Sequence, residues 1–349
     1  MRIMELVKIS GTPYERGYEF GKRFKDRIKA CLEAEDKFWS ARTSSEQTRE
    51  SAKKNEKIFE SFAPELLEEI RGLGDGSGLE YKRLLSSNIS SPYFSPLFCS
   101  AFVVLGSLTK NKEPIMGRNV DWSSDSKKHI KYVFTRPSNG YSHICSRDLD
   151  SVGYYDGMNE KGLAIGWAGV FTLKSEVAPG LLMFFITKLV LERCSSVEEA
   201  VKLIKSIPIA NATNFIIVDK NEAAVIETTS KHRIIRKPKK SKRENFLIIT
   251  NNFISPKMKK YDIIYKRWPE ATDPRIKRYN ELIKENTGRI DAEVTKRILS
   301  DHEGFICTHS NVGKATSETI SSFIAMPKSK SLFYANGSPC RTKYFNFKI

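Results

Sequence analysis

The sequence lacks the long apolar segments of membrane-spanning proteins. No stretch approaches the roughly 18 charge-free apolar residues that a membrane span needs. The longest candidate, Gly180 to Leu191, is short and contains Lys188, so it predicts a buried helix. The first residues carry charges where a secretory signal would be apolar. We therefore expect a soluble protein of the cytoplasm.

Cofactor motifs are also missing. The sequence has no phosphate-binding loop, no dinucleotide fingerprint and no metal-like spacing, and its six cysteines are scattered without a CxxC pair. In a chain without a signal, free thiols are expected rather than a disulfide framework. We therefore predict no cofactor and no metal, and the question becomes whether one thiol is a nucleophile.

Positive charge is abundant but unevenly placed. The chain has 58 Lys and Arg against 41 Asp and Glu, a net charge of +17, and about half of that excess lies in residues 231–243. Such a run is typical of a solvated hairpin tip, while the alternative is a site for an acidic partner or an anionic membrane surface. No zinc-finger, basic-zipper or RNA-binding signature accompanies the run, so nucleic-acid binding is a weak alternative.

The pattern of apolar residues changes along the chain. Residues 1–98 show mostly helical spacing, whereas residues 99–349 contain segments rich in Val, Ile, Phe and Tyr between turn clusters. A helical hairpin over 181–207 and further helices over 275–300 interrupt the strands. This order predicts one α+β unit in which helices cover sheets, with a helical N-terminal portion.

The most informative feature is a cysteine at the start of a predicted strand. Cys99 begins the apolar segment CSAFVVL, and the chain returns as a second strand that ends with Arg118, Asp121 and Trp122. In an antiparallel hairpin the end of the returning strand lies beside the start of the first. Arg118 and Asp121 are therefore expected near the Cys99 thiol, where a cation favours the thiolate and a carboxylate can orient the attacking group.

These residues resemble a known family. Cys99-Ser-Ala-Phe followed by Gly117-Arg-Asn-Val-Asp121 is similar to the penicillin acyltransferase-like (peptidase C45) branch of the N-terminal-nucleophile (Ntn) hydrolases, with choloylglycine hydrolases as more distant relatives. Five further stretches resemble the family in the expected order: Gly11–Gly21, Asp156–Ile165, Asn214–Asp219, Thr250–Phe253 and Asp273–Tyr279.

The resemblance implies an αββα four-layer sandwich that is made as an inactive precursor. Cleavage between Phe98 and Cys99 would separate a helical segment, 1–98, from a catalytic portion, 99–349, the two packed as one unit. The freed α-amine, with a pKa near ~8, would serve as the base of Cys99. The expected activity is hydrolysis or transfer of an acyl group at a small N-acyl amide or peptide-like bond, with acyl-CoA as a possible substrate and not a cofactor.

The resemblance also assigns roles in the site. Arg118 would stabilise charge near the thiolate, and Asp121 would hold the α-amino group. Either Asn211 or Asn214 would donate to the oxyanion, a contribution of about 3 kcal/mol to the barrier. Trp122 and Trp167 are candidates for the walls of an acyl pocket, with core packing as the alternative for each.

Two departures from the choloylglycine hydrolases bear on the substrate. Where they carry an oxyanion asparagine, this chain has Trp167-Ala168-Gly169, so a backbone N–H is expected to substitute and bile salts are not the expected substrate. Their late arginine is absent from the roughly corresponding residues 307–311. His309 in that stretch is a candidate for a polar role in substrate binding or for a structural one.

Two alternative functions remain open. An unprocessed Cys–His hydrolase would use Cys307 or Cys99 with His309. A non-enzymatic protein would bind anionic surfaces through residues 231–243.

Overall fold

A computed structural model of the protein describes residues 5–39, 45–89, 98–239, 241, 244–263, 273–309 and 317–349. Its strands are β1 (Leu6–Gly11), β2 (Phe98–Val104), β3 (Ile115–Ser123), β4 (Lys131–Pro137), β5 (His143–Arg147), β6 (Asp156–Asn159), β7 (Ala164–Gly169), β8 (Thr213–Val218), β9 (Ala223–Thr228), β10 (Arg233–Arg236), β11 (Phe246–Ile249), β12 (Ser317–Met326), β13 (Ser331–Ala335) and β14 (Phe345–Lys348). Its α-helices are α1 (Pro13–Trp39), α2 (Ser45–Phe62), α3 (Pro64–Ser77), α4 (Tyr81–Ile89), α5 (Met183–Arg193), α6 (Val197–Ser206), α7 (Pro256–Lys259), α8 (Asp273–Glu285) and α9 (Ala292–Leu299).

The strands form two sheets that pack face to face. One sheet has the order β1-β4-β5-β6-β7-β8-β9-β10, and the other has the order β11-β2-β3-β12-β13-β14. Strand β2 contacts β7 and β8 of the opposite sheet, while α5 and α6 pack on the eight-stranded sheet and α8 and α9 on the six-stranded sheet. The layers are therefore helix, sheet, sheet, helix, and the predicted αββα sandwich of the α+β class is confirmed.

The apolar segment that the sequence predicts as a buried helix is α5. Most of its residues are buried, including Lys188, whose Nζ lies 2.7 Å from Glu69 Oε2 in α3. Burial of the charge is possible because a carboxylate is paired with it. None of the helices in the described ranges combines the length and the apolar character that crossing a bilayer requires.

The N-terminal portion joins the sandwich through close helix packing. Helices α1 and α3 contact each other extensively, and a Cβ atom added to Gly17 would lie 2.1 Å from the Glu69 carbonyl oxygen. Glycine thus permits backbone contact between the two helices, which a larger residue would prevent.

One element of this portion differs from the helical prediction. Strand β1 pairs in parallel with β4, so that Leu6 lies opposite Tyr132. The sequence prediction missed it because a short edge strand carries little periodic signal, and its partner lies more than a hundred residues away.

Candidate active site

Cys99 and Arg118 are placed by the β2–β3 hairpin that the sequence predicts. Cys99 lies opposite Val120, and Ala101 lies opposite Arg118. Because alternate residues of a strand share a face and directly opposite residues lie on the same face, the Cys99 and Arg118 side chains both point toward the eight-stranded sheet. The predicted proximity of these two residues is present in the structure.

The Arg118 guanidinium is fixed beside the thiol. Its Nη2 lies 3.6 Å from Cys99 Sγ. Nε and Nη2 donate to the Trp167 carbonyl at 3.1 and 2.9 Å, and Nη1 donates to Asp156 Oδ2 at 2.5 Å. All four residues are fully buried. The hydrogen bonds to Trp167 and Asp156 of the opposite sheet hold the guanidinium in one position.

Asp121 lies near Cys99 but on the other face of the hairpin. It is opposite Phe98, the residue before the cysteine; only the backbone of Phe98 is within the described residues. The Asp121 carboxylate accepts a hydrogen bond from Thr319 Oγ1 at 2.6 Å, and its Oδ2 lies 3.6 Å from Arg275 Nη2. A register shift in β12 between Thr319 and Ser321 aims the threonine at this carboxylate, as β-bulges beside active sites commonly do.

The backbone atoms of Cys99 have side-chain partners that sequence reasoning missed. The Cys99 N–H donates to Asn251 Oδ1 at 3.0 Å, and its carbonyl accepts from Arg275 Nη1 at 3.1 Å. Strand β11 pairs with β2 so that Ile249 lies opposite Ala101. Continuing this register by two residues brings Asn251 opposite Cys99. Both residues lie in stretches that resemble the family, Thr250–Phe253 and Asp273–Tyr279, which was the available signal.

A second arginine of the site comes from the start of α8. Arg275, which the sequence analysis did not single out, donates to the Cys99 carbonyl and lies 3.6 Å from Asp121 Oδ2. Its side chain is 3% exposed, so its charge acts on the site with little screening by solvent.

The next residues are Asn211 and Asn214, the two asparagines predicted as oxyanion donors. Asn214 Nδ2 donates to the Thr250 and Asn252 carbonyls at 2.9 and 2.8 Å. Both of its N–H donors are thereby used to hold the residues on either side of Asn251. Among the described residues no hydrogen bond joins Asn211 or Asn214 to Cys99. Asn214 therefore contacts the backbone on both sides of Asn251 and not Cys99 itself.

The predicted pocket residues on β7 are built into the interior. The fully buried Trp167 ring stacks on Tyr155 at 5.9 Å between centroids and meets Phe184 edge-on at 4.8 Å. The Gly169 carbonyl accepts a hydrogen bond from Asn251 Nδ2 at 2.9 Å. Both residues thus border the cysteine site through their carbonyl groups.

The remaining two predicted residues are Trp122 and His309. Trp122 is half-buried, follows Asp121 in β3 and packs at the margin of the main core. His309 lies with His302, Cys307 and Cys340, and their ligand atoms are all within 4.8 Å of one another. These four residues are the group of His, Cys, Asp and Glu side chains in the described ranges that could hold a metal ion. The sequence prediction of no metal rested on their irregular spacing.

Burial sets the protonation of the site in the intact chain. It raises the pKa of the Cys99 thiol to about 11, although the nearby Arg118 acts in the opposite direction. Burial also raises the pKa of Asp121 to about 6, against the opposing effects of Arg275 and Thr319. In the intact chain the site therefore combines a thiol that burial keeps protonated with a carboxyl group whose pKa burial raises above its ordinary value.

Comparison with known proteins finds relatives of this chain. The family model for acyl-coenzyme A:6-aminopenicillanic acid acyl-transferase matches residues 107–340. An uncharacterized protein of Archaeoglobus fulgidus is 22% identical over 374 residues, covering 90% of this chain but 61% of its own length. The chain thus spans less than two thirds of this curated relative.

Two solved structures resemble the fold at low identity. One is an N-acylethanolamine-hydrolyzing acid amidase ortholog of Caenorhabditis elegans, with a TM-score of 0.49, 18% identity, and coverage of 66% of this chain and 93% of that chain. The other is a penicillin V acylase of Agrobacterium tumefaciens, with a TM-score of 0.47, 16% identity, and coverage of 72% and 86%.

Proposed function

We propose that this chain, which belongs to the acyl-coenzyme A:6-aminopenicillanic acid acyl-transferase family, is a self-processing cysteine Ntn enzyme. It would hydrolyse or transfer an acyl group at a small N-acyl amide or peptide-like bond. Cys99 would be the nucleophile, freed by cleavage of the Phe98–Cys99 peptide bond.

The observation that carries the proposal is the way Cys99 is held. Its sulfur, its backbone nitrogen and its carbonyl oxygen each contact a different polar side chain, from Arg118, Asn251 and Arg275 respectively. Buried backbone N–H and C=O groups of a strand are ordinarily paired with the backbone of neighbouring strands. At Cys99 both groups are paired with polar side chains instead, and a guanidinium lies beside the sulfur. Holding all three atoms fixes the thiol relative to its own peptide bond, and such positioning supplies much of the rate of an intramolecular reaction.

Self-cleavage would proceed through a thioester. The Cys99 sulfur attacks the Phe98 carbonyl carbon, the C–N bond breaks, and the thiol proton passes to the departing nitrogen. Water then hydrolyses the thioester, which leaves a carboxylate on Phe98 and restores the thiol. Because Cys99 is fully buried in the intact chain, its own backbone is the carbonyl source within reach. Burial therefore favours processing over premature attack on substrate.

After cleavage the same groups would act on a substrate. The new α-amine stays near Asn251 and serves as the base for the Cys99 thiol, because an amine with a pKa near ~8 accepts a proton that an amide nitrogen cannot. Arg118 stabilises the thiolate, and Asp121 orients the amine. The thiol attacks the substrate carbonyl, the amine or thiol leaving group departs, and water or an acceptor amine resolves the acyl-enzyme. Trp122, Trp167 and Gly169 would border the acyl group.

The test is the mass and N-terminal sequence of the purified protein. Wild type should yield two chains, residues 1–98 and 99–349, the second beginning Cys-Ser-Ala-Phe. Cys99→Ala should fold and remain a single chain, while Cys99→Ser should cleave slowly or not at all. Cys145→Ala is the matched control, because Cys145 is an equally buried thiol of β5 outside the site, and it should cleave normally. Cleavage of Cys99→Ala at the same bond would refute self-processing by this residue.

One geometric observation favours the alternative of an unprocessed Cys–His hydrolase. Cys307 Sγ lies 3.9 Å from His309 Nε2. However, His309 Nε2 is also 3.1 Å from both Cys340 Sγ and His302 Nε2, so the histidine is not dedicated to one thiol. An active preparation that contains only the full-length chain and loses activity in His309→Ala would establish this alternative.

The cations of residues 231–243 give little support to a role in binding anionic surfaces. Arg233 donates to the Ile207 carbonyl at the end of α6, and Arg236 pairs with the buried Glu227 at 2.7 Å. Lys237 and Lys239 are paired with acids on the surface. Three further cations of the run lie outside the described residues. Those that are described mainly serve the fold or neighbouring acids.

A further inference from the structure

Two histidines and two cysteines that lie far from Cys99 in the sequence bring their ligand atoms within 4.8 Å of one another. Cys307 Sγ lies 3.7 Å from Cys340 Sγ, and His302 Nε2 lies 3.1 Å from His309 Nε2. His309 Nε2 is 3.1 Å from Cys340 Sγ and 3.9 Å from Cys307 Sγ. Three of the ligands come from the segment after α9, and the fourth comes from the turn after β13. We propose that these residues form a zinc-binding site.

The distances match those of tetrahedral zinc. With Zn–S of about 2.3 Å and Zn–N of about 2.0 Å, a tetrahedral site has S···S edges of about 3.8 Å, N···N edges of about 3.3 Å and mixed edges of about 3.5 Å. The S···S and N···N separations here are 3.7 and 3.1 Å. Of the four mixed separations, the two of His309 are 3.1 and 3.9 Å, and the two of His302 are within 4.8 Å. A Cys307–Cys340 disulfide would account for the sulfurs but for neither histidine.

The neighbour of His309, Ser338, also fits a zinc-binding role for this histidine. His309 Nδ1 lies 3.4 Å from Ser338 Oγ, which in turn donates to the Thr319 carbonyl at 3.0 Å. A metal-binding histidine ordinarily donates its second ring N–H to such an acceptor, which fixes the tautomer and the ring orientation. The serine therefore allows Nε2 of His309 to face the zinc as an acceptor.

The site would have a structural task. Four protein ligands fill a tetrahedral shell and leave no position for a substrate, as in structural zinc sites. The ligand segment also touches the catalytic side: the Thr308 N–H donates to Thr319 Oγ1 at 3.0 Å, and Thr319 Oγ1 donates to Asp121. Zinc would thus fix the two segments that position the threonine beside Asp121. This inference is independent of self-processing and can be tested in Cys99→Ala.

The first experiment measures zinc in the full chain purified under reducing conditions without chelators. Wild type and Cys99→Ala should each hold about one zinc per chain. Cys340→Ser and His302→Ala should hold almost none, and both should fold because these side chains are exposed. His232→Ala is the matched control, because this histidine is also accessible, with 42% of its side chain exposed, and lies outside the site; it should keep the zinc. Full zinc content in both site variants, or equal loss in the control, would overturn the proposal.

The second experiment tests the ligands and their support. Metal-free wild type titrated with CoCl₂ should develop the visible absorption of tetrahedral cobalt bound to thiolates, and ZnCl₂ should abolish it. Ser338→Ala should weaken zinc binding about 10- to 100-fold, because a supporting group is lost. Absence of the cobalt spectrum in reduced wild type, or a Cys307–Cys340 disulfide whose reduction still gives no zinc binding, would refute the site.

Discussion

Two buried carboxylates of this protein experience opposite environments. Glu69 of α3 contacts three cations, with its carboxylate oxygens 2.9 Å from Arg16, 2.7 Å from Lys188 and 3.6 Å from Arg147. Burial alone would raise the pKa of Glu69, but the three cations together lower it to about 2. Asp121 is equally buried and has one cation 3.6 Å away, so burial dominates and raises its pKa to about 6.

The difference separates a structural charge from a reactive one. The three cations keep the carboxylate of Glu69 ionised well below neutral pH, and it ties α1, α3, α5 and β5 together. Asp121 is compensated incompletely, so it can exchange a proton under ordinary conditions. Incomplete compensation costs stability, and such groups concentrate at functional sites. The comparison therefore supports a chemical role for Asp121 and a structural role for Glu69.

The largest expected effect on this comparison comes from neutralising Glu69. Glu69→Gln leaves Arg16, Lys188 and Arg147 buried with one anion fewer, and breaking a buried ion pair costs about 3–5 kcal/mol. Urea unfolding should show this loss of free energy, while the folded fraction still cleaves before Cys99. Glu68→Gln, at the exposed neighbouring position, is the control and should change stability by no more than about 0.5 kcal/mol.

Neutralising Asp121 should affect turnover more than stability, the reverse of what is expected for Glu69. Its pKa is higher in the folded state than in the unfolded state, so the folded protein binds more protons, and stability should fall as pH rises from about 4 to about 6. Asp121→Asn should abolish this pH-dependent change in the free energy of unfolding, which is on the order of 2–3 kcal/mol. The substitution should impair turnover more than folding. The exposed Asp125→Asn is the control.

Unfolding free energies measured between pH 4 and 7 decide this prediction. The slope should be smaller in Asp121→Asn than in wild type, and unchanged in Asp125→Asn. An unaltered slope would mean that the carboxyl group titrates normally. Unchanged turnover in Asp121→Asn would remove the residue from the site.

Sequence reasoning found the part of the site that is local in the chain. Strands β2 and β3 follow each other in the chain, with only residues 105–114 between them. Strand pattern and turn chemistry together therefore predict that Arg118 and Asp121 return to Cys99. Asn251 and Arg275 reach Cys99 across 152 and 176 residues. Strand pattern and turn chemistry do not state which distant strands pair or where helix α8 packs.

The fold shows the same division between local and distant features. Ser196 and Asp291 cap α6 and α9 by accepting the backbone N–H groups of Glu199 and Val294. Such caps are local features, because they join residues three apart in the chain. Strand β1 and the cluster of His302, Cys307, His309 and Cys340 depend on tertiary packing. Composition and spacing therefore predicted no metal site, although its four residues are visible in the sequence.

A variant at Asn251 sharpens the comparison at the level of positioning. Asn251→Ala removes the partner of the Cys99 nitrogen and of the Gly169 carbonyl. We expect cleavage and turnover to fall about 100-fold, because misplacement of a reacting group by about 1 Å has that effect. Asn245→Ala, which loses a hydrogen bond to Ser107 at the surface, should process at the wild-type rate. Quenched time courses of cleavage provide the measurement, and equal rates would exclude Asn251.

The smallest effect is expected where charges are exposed to solvent on both sides. Lys237 and Lys239 are 64% and 77% exposed and pair with acids that are also accessible. Exposed pairs contribute about 0–1 kcal/mol, so Lys237→Gln/Lys239→Gln should leave stability, processing and turnover unchanged. Lys202→Gln/Lys205→Gln on α6 lowers the net charge equally and is the control. Sedimentation with vesicles of phosphatidylserine and phosphatidylcholine at two salt concentrations should show no difference between the variants. A salt-sensitive loss of vesicle binding in the first variant alone would instead assign residues 231–243 a role in binding anionic surfaces. Function would then reside in exposed charges as well as in the incompletely compensated charge of Asp121.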